Sequence, residues 1–154
     1  MSDIRVHYED FTKRMPAVHA ALLTLSKSAT QAGLDKTLIE LIEIRASQIN
    51  GCAFCLAYHL DAARKAPVPS AKLDLVATWR EAGIFTAREE AALAWTETVT
   101  RLGPKSASDA EYAALRAEFS EEEAIYLTVT IGVINHWNRL GVALRFPPTL
   151  AAAA

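Results

Sequence analysis

The sequence predicts an all-α fold: one domain of about seven helices. Three observations carry this expectation. Apolar residues recur at helical rather than strand spacing along most of the chain. Glycine, proline and one Asn-Gly pair interrupt the periodic stretches at intervals of about a helix length. Three hydroxyl residues each stand three positions before a glutamate, the capping-box pattern of a helix start.

The elements follow in order. Pro16 to about Gln31 is helical in composition, and Gly33 ends it. Lys36 to Asn50 carries Leu38, Leu41, Ile42 and Ile49 at helical spacing. Asn50-Gly51 is a C-terminal stop, because both residues tolerate positive φ. Cys52 to Lys65 reads as a new helix, broken by Pro67 and Pro69. Ser70 caps the next, which runs to about Ala82 before Gly83. Thr86 with Glu89, Ser108 with Glu111 and Ser120 with Glu123 then open three more, with Gly103-Pro104 between the first two. The last helix runs from about Glu121 to Leu144 and stops before Pro147-Pro148. Within it Ile125, Leu127, Val129 and Ile131 alternate with polar residues, a strand pattern. Helix is preferred there, since a capping box precedes the segment and no other stretch offers a partner strand. The tail, residues 149–154, is expected to fray.

Composition narrows the function. The 154 residues are 51% hydrophobic and 22% charged, enough for one core without disulfide staples. Residues 1–154 are therefore read as a single domain. Sixteen Lys and Arg against eighteen Asp and Glu give a net charge of -2, without the basic excess of a nucleic-acid binder. Met1 to Asp10 carries Asp3, Arg5, Glu9 and Asp10, and no apolar targeting core. The longest apolar-rich stretch, Ala124 to Ile134, is too short to span a bilayer. The expectation is a cytoplasmic protein without membrane or nucleic-acid partners. In that compartment a close cysteine pair points to catalysis or metal binding rather than to a structural disulfide.

The chemistry concentrates in Gly51-Cys52-Ala53-Phe54-Cys55-Leu56-Ala57-Tyr58-His59. On a helix, Cys52, Cys55 and His59 fall within about 60° of arc and share one face. Cys52 follows the Asn-Gly stop, so it sits at a helix start, where the dipole favours a thiolate. His59 lies one turn beyond Cys55, within reach to exchange a proton. Sulfurs at i and i+3 can close a disulfide with little backbone movement. These are the requirements of a dithiol–disulfide centre. A structural zinc site needs a fourth ligand, and His7, His19 and His136 have no ligand-like spacing to the pair. A c-type haem needs histidine where Leu56 stands, and a thioredoxin-like pair needs a βαβ context. Two cysteines that are simply part of the core are the remaining alternative.

The run from Glu40 through Ile49-Asn50-Gly51-Cys52 to Cys55 and His59 resembles the alkylhydroperoxidase D-like (AhpD-like) branch of the carboxymuconolactone decarboxylase family. The shared pattern is a glutamate twelve residues before a CxxC, then histidine four after the second cysteine. Ile134-Asn135-His136-Trp137-Asn138-Arg139, ending at Val142-Ala143-Leu144-Arg145, also resembles the closing helix of short members. The resemblance implies an AhpD-like helical subunit that assembles into trimers or hexamers. It implies reduction of hydroperoxides through the cysteine pair, with an unidentified dithiol or protein reductant; no cofactor is expected, and the ligand count argues against a metal. Cys55 would be the attacking thiolate and Cys52 the resolving thiol, with Glu40 and His59 as a proton relay. Some members carry a second histidine between the cysteines; Phe54 stands there, which removes one relay group. Two other functions remain open: a decarboxylase or isomerase acting on a lactone, and a non-catalytic redox sensor or oligomeric binding protein.

The helical wheel bears on three residues of the Lys36 to Asn50 helix. Glu40 lies at the margin of the apolar arc near Ile44, and Glu43 on the polar side; the wheel does not choose between them, and the resemblance chooses Glu40. Arg45 falls inside the apolar arc, where it snorkels or pairs with a buried acid. Trp137, flanked by Asn135, Asn138 and Arg139, is read as a core tryptophan among hydrogen-bonded asparagines, with a subunit interface or pocket wall as the alternative. Tyr58 is left undecided.

Overall fold

A computed structural model describes residues 3–149. Apart from Thr149, the tail expected to fray lies outside the described residues. Among these, all regular structure is helical: α1 (Tyr8–Arg14), α2 (Pro16–Gln31), α3 (Lys36–Asn50), α4 (Ala53–Lys65), α5 (Ser70–Leu75), α6 (Trp79–Ala82), α7 (Ala87–Arg101), α8 (Asp109–Glu118) and α9 (Glu121–Leu144). A 3₁₀ turn, Val76–Thr78, joins α5 to α6. The all-α expectation holds, and the expected boundaries of α2, α3 and α9 match.

Local chemistry explains most of the starts and stops. The three capping boxes are formed in full at Thr86, Ser108 and Ser120. Gly51 stops α3 in the left-handed region, at φ 65° and ψ 30°. One helix start differs from expectation. Pro69, not Ser70, is the N-cap of α5, and no side chain caps it. The helix expected to run unbroken to Ala82 tightens into the 3₁₀ turn, which carries Val76 and Trp79 into the core. The element missed from sequence is α1. His7 offers it no side-chain cap, and tertiary contact holds it instead: Phe11 is buried and packs on Trp137 and Phe146.

The alternating segment in α9 is helix because only part of its apolar set points inward. Leu127, Ile131 and Ile134 are buried, with Thr130, at helical spacing, while Ile125 and Val129 face out. Thr128 and Thr130 turn their hydroxyls back to the carbonyls of Ala124 and Tyr126, at 2.7 and 2.8 Å.

The core is built around α3. Every residue from Leu38 to Ile44 is buried, so this part of the helix has no solvent face. One apolar cluster joins Leu38, Ile39 and Ile42 to Leu115, Phe119, Leu127 and Ile131. A second joins Leu41 and Ile44 to Ala63, Trp79, Phe85 and Leu93. Burying each such aliphatic side chain stabilises the fold by about 1.5–3 kcal/mol. Arg45 pairs with a buried acid, Glu97, at 2.7 Å. Glu97 also accepts from Trp79 Nε1 at 3.0 Å, Arg80 Nη1 at 2.6 Å and Arg101 Nη1 at 3.2 Å. Against its burial, these donors hold the Glu97 carboxyl down at about 2.

Candidate active site

The site begins at the turn between α3 and α4. Because Gly51 is left-handed, the chain reverses at once and Cys52 becomes the N-cap of α4. Its Sγ accepts the Cys55 backbone N–H at 3.3 Å. Asn50 fixes this elbow to α9 by donating from Nδ2 to Asn135 Oδ1 at 2.9 Å and Asn138 Oδ1 at 2.8 Å. Asn138 in turn donates to Ser47 Oγ at 3.0 Å, and Asn135 to Thr100 Oγ1 at 3.0 Å. These amides are buried and bonded, so they orient the elbow at little desolvation cost.

The two sulfurs pack with Ile134 and Trp137 and against Gly141, residues that share one face of α9. Gly141 is required there. A Cβ at that position would stand 2.7 Å from Cys52 Sγ and 3.5 Å from Cys55 Sγ. Both cysteines are buried free thiols.

His59 lies one turn along α4 from Cys55. Its Nδ1 is 2.9 Å from Glu40 Oε2 and 3.2 Å from Glu43 Oε2. Lys36 Nζ donates to the other oxygen of Glu40 at 2.7 Å. Glu40, expected at the margin of α3, is buried. Glu43, expected on a polar side, is buried as well, because α4 covers that side. The wheel could not show this; the missed signal was three charged residues, Lys36, Glu40 and Glu43, in register on one face of α3.

A cavity of about 220 Å³ opens onto this group. Cys55, His59, Glu40 and Glu43 line it, with Ile39, Phe54, Tyr58 and Trp137 among its apolar walls. Trp137 is thus a pocket wall, while the asparagines beside it are the buried, bonded pair that was expected. Tyr58 is exposed and sets its ring edge-on to His59. Two larger hollows, one beside Gly103–Ser106 and one over Arg80 and Glu97, carry neither a thiol nor a histidine.

Charge and access fall on different sulfurs. The neighbouring Cys55 side chain draws Cys52 down to about 7, aided by the Cys55 N–H and opposed by burial. The neighbouring Cys52, and then burial, push Cys55 up. Cys52 is therefore the thiol that ionises first, and the sulfur that faces the cavity is Cys55. Burial raises Glu43 to about 7, although His59 opposes it. Burial also works on Glu40, yet hydrogen bonds from His59 and Lys36 hold its carboxyl below the usual range. For His59 burial favours the neutral ring, but the two acids outweigh it and the pKa rises.

Glu40, Glu43 and His59 place their polar atoms within 4.8 Å of one another, compact enough for a cation. The Lys36 ammonium already supplies positive charge there, and His59 Nδ1 stands at hydrogen-bonding distance from both carboxylates. This is the geometry of groups that share protons.

Known proteins fit this arrangement. Residues 16–98 match the model of the carboxymuconolactone decarboxylase family. YdfG, an uncharacterised protein of Bacillus subtilis, is 34% identical over 123 residues, which cover 80% of this chain and 84% of YdfG. A crystal structure from Agrobacterium tumefaciens, of a protein of unknown function provisionally assigned to antioxidant defence as AhpD, is 36% identical. It superposes with a TM-score of 0.89 over 97% of this chain and all of that one. An uncharacterised peroxidase-related protein of Ralstonia eutropha JMP134, an alkylhydroperoxidase AhpD core, shares the fold. It has a TM-score of 0.79 and 22% identity over 91% of this chain and 75% of that one. No described helix is long and apolar enough to cross a membrane. With the Glu40, Cys52, Cys55 and His59 pattern set on this helical frame, the chain belongs to the carboxymuconolactone decarboxylase family, in its AhpD-like branch.

Proposed function

We propose that the protein is a thiol-dependent peroxidase that reduces organic hydroperoxides with its Cys52–Cys55 pair. Family membership supports enzymes of peroxidase-like or decarboxylase-type chemistry. The observation that favours the former is one buried thiol of an adjacent pair opening on a largely apolar cavity beside an acid-held imidazole. Apolar walls suit a substrate with an organic body better than hydrogen peroxide.

In this reading, Cys55 passes its proton to the adjacent Cys52 thiolate. The Cys55 thiolate attacks the terminal peroxide oxygen; the O–O bond breaks, and the departing alkoxide takes a proton from the site. Cys55 is now a sulfenic acid. The Cys52 thiol condenses with it, forming the Cys52–Cys55 disulfide and releasing water. A dithiol reductant restores the pair and returns the proton. Glu40, ionised beside Lys36, holds the His59 ring, and the two relay protons to and from the sulfurs.

Cysteine variants test this reading. With cumene hydroperoxide and a dithiol reductant, Cys55→Ser abolishes turnover. Cys52→Ser leaves one round of reaction and a sulfenic acid on Cys55 that dimedone traps. An adduct on Cys52 in the Cys55→Ser protein, with none on Cys55 in the other variant, reverses the order of attack. Full activity in both variants removes the peroxidase reading and favours the decarboxylase type, which needs no thiol. A reversible disulfide without turnover points to a redox sensor. The working form is a homo-oligomer, trimer or hexamer, acting in the cytoplasm. Ile125, Val129 and Val142, exposed along α9, are surfaces for such assembly, and light scattering on a sizing column reads the size.

A further inference from the structure

The two carboxylates beside His59 are chemically unequal. Glu40 binds the one ammonium that touches the pair, Lys36, and donates no proton while ionised. Glu43 contacts no Lys or Arg among the described residues; its polar neighbour is His59 Nδ1, at 3.2 Å. Both acids approach the same nitrogen, and two negative charges this close in a buried site do not coexist freely. One of them keeps a proton, and the lysine decides which. Glu43 also lines the cavity with Cys55. Paired acids whose surroundings separate their affinities for protons mark a division of labour between donor and acceptor.

We propose that Glu43 is the general acid of this site, giving its carboxyl proton to the alkoxide that leaves when Cys55 cleaves the peroxide bond. The proposal rests on the peroxidase reading above. In the step, the Cys55 sulfur gains the terminal hydroxyl and becomes the sulfenic acid. The O–O electron pair departs on the alkoxide, and the Glu43 O–H bond supplies the proton that makes the alcohol. Glu43 is left as a carboxylate and is reprotonated when the dithiol reductant reopens the disulfide. Its elevated affinity for protons, a consequence of burial, keeps it loaded near neutral pH. The other titratable groups facing this space are Lys36 and Glu40 on α3, Cys55, Tyr58 and His59 on α4, Lys27 on α2 and Tyr8 on α1. From α9 it meets Trp137, which carries no charge. Of the acids, Glu43 alone is protonated near neutrality.

The test compares two oxidants on one protein. Cumene hydroperoxide expels a basic alkoxide that needs a proton; peracetic acid expels acetate, which does not. Glu43→Gln keeps the shape and removes the acid. It should slow cumene hydroperoxide reduction by roughly 10²–10⁴-fold relative to peracetic acid reduction. Glu43→Asp retains a carboxyl and should retain the parent ratio of the two rates. In the unaltered protein, the ratio of cumene hydroperoxide to peracetic acid rates should fall as pH rises through about 7, since the thiolate's own titration cancels. Equal loss on both oxidants in Glu43→Gln, no loss on either, or a pH-independent ratio in the parent overturns the assignment. A parent protein that reduces neither oxidant overturns the peroxidase reading itself, and this role with it.

Discussion

Two buried acid clusters, each centred on α3 and a neighbouring helix, follow opposite rules. Around Glu97 one carboxylate meets three guanidinium groups and an indole N–H. Around His59 two carboxylates meet one ammonium and one imidazole. The first is oversupplied with donors, so its charge is fixed and its proton never returns in the physiological range. The second is undersupplied, so a proton stays within it and can move. The acid saturated with donors serves stability; the pair short of donors stands beside the thiols, where a mobile proton is of use to the proposed chemistry.

The sharpest way to break this contrast is to exchange the phenotypes. His59→Ala should slow peroxide turnover by roughly 10²–10⁴-fold while the protein stays folded, as read by circular dichroism. Glu97→Gln should do the reverse. Removing one member of a buried ion cluster costs about 3–5 kcal/mol, and the exposed Arg80 and Arg101 put this case at the low end. A loss of about 3 kcal/mol lowers Tm by roughly 6–12 °C at this chain length, with turnover per folded molecule unchanged. If Glu97→Gln instead lost activity at full stability, the division drawn here would be wrong.

The clusters should also answer pH in opposite directions. Glu97 has a folded pKa near 2 against an ordinary 4.5. Its contribution is complete above pH 4.5 and is lost as pH falls towards 2. Glu43 has its pKa raised to about 7, so the folded state keeps a proton that the unfolded chain releases. Stability from this group falls as pH climbs from about 4.5 to 7, by about 3 kcal/mol at most. His59, also raised, adds to that fall at higher pH, while Glu40, lowered, acts on the acid side with Glu97. In thermal melts from pH 3 to 9, Glu43→Gln should shrink the neutral-range decline and Glu97→Gln the acid-range decline, leaving the parts that belong to His59 and Glu40.

The smallest effect belongs to Lys36→Met. Its side chain is 59% exposed, so solvent screens the ion pair and the stability change should stay below about 1 kcal/mol. The sharper readout is the activity profile against pH, whose acid limb should move up once Glu40 loses its ammonium. A profile that does not move would mean that Lys36 has no part in deciding where the proton sits.

Much of this was legible in the residues. The capping boxes, the Asn-Gly stop and the proline breaks placed most helices, because they act within one turn. The Cys52, Cys55 and His59 spacing placed three site groups on one face, and the resemblance supplied Glu40. What escaped depends on distant contacts. No local signal marks α1, which stands on Phe11 meeting Trp137 and Phe146. Glu43 looked solvated on a wheel, because a wheel assumes one exposed face and α3 is covered on all sides from Leu38 to Ile44. The role of Gly141 was equally hidden: a glycine near the end of a helix does not reveal that two sulfurs, almost ninety residues upstream, rest against it.

That contact bears on how such a site would wear out. Space too small for a methyl group beside Cys52 is too small for two added oxygen atoms. If the pair reduces peroxides as proposed, irreversible conversion to sulfinic acid under an excess of oxidant is steered towards Cys55, the sulfur with open volume before it. The working life of such a pair would be a race at a single atom: Cys52 must close on the Cys55 sulfenic acid before a second peroxide reaches it. The helix that positions the dithiol thereby shields one half of it from damage and leaves the other to be rescued by its neighbour.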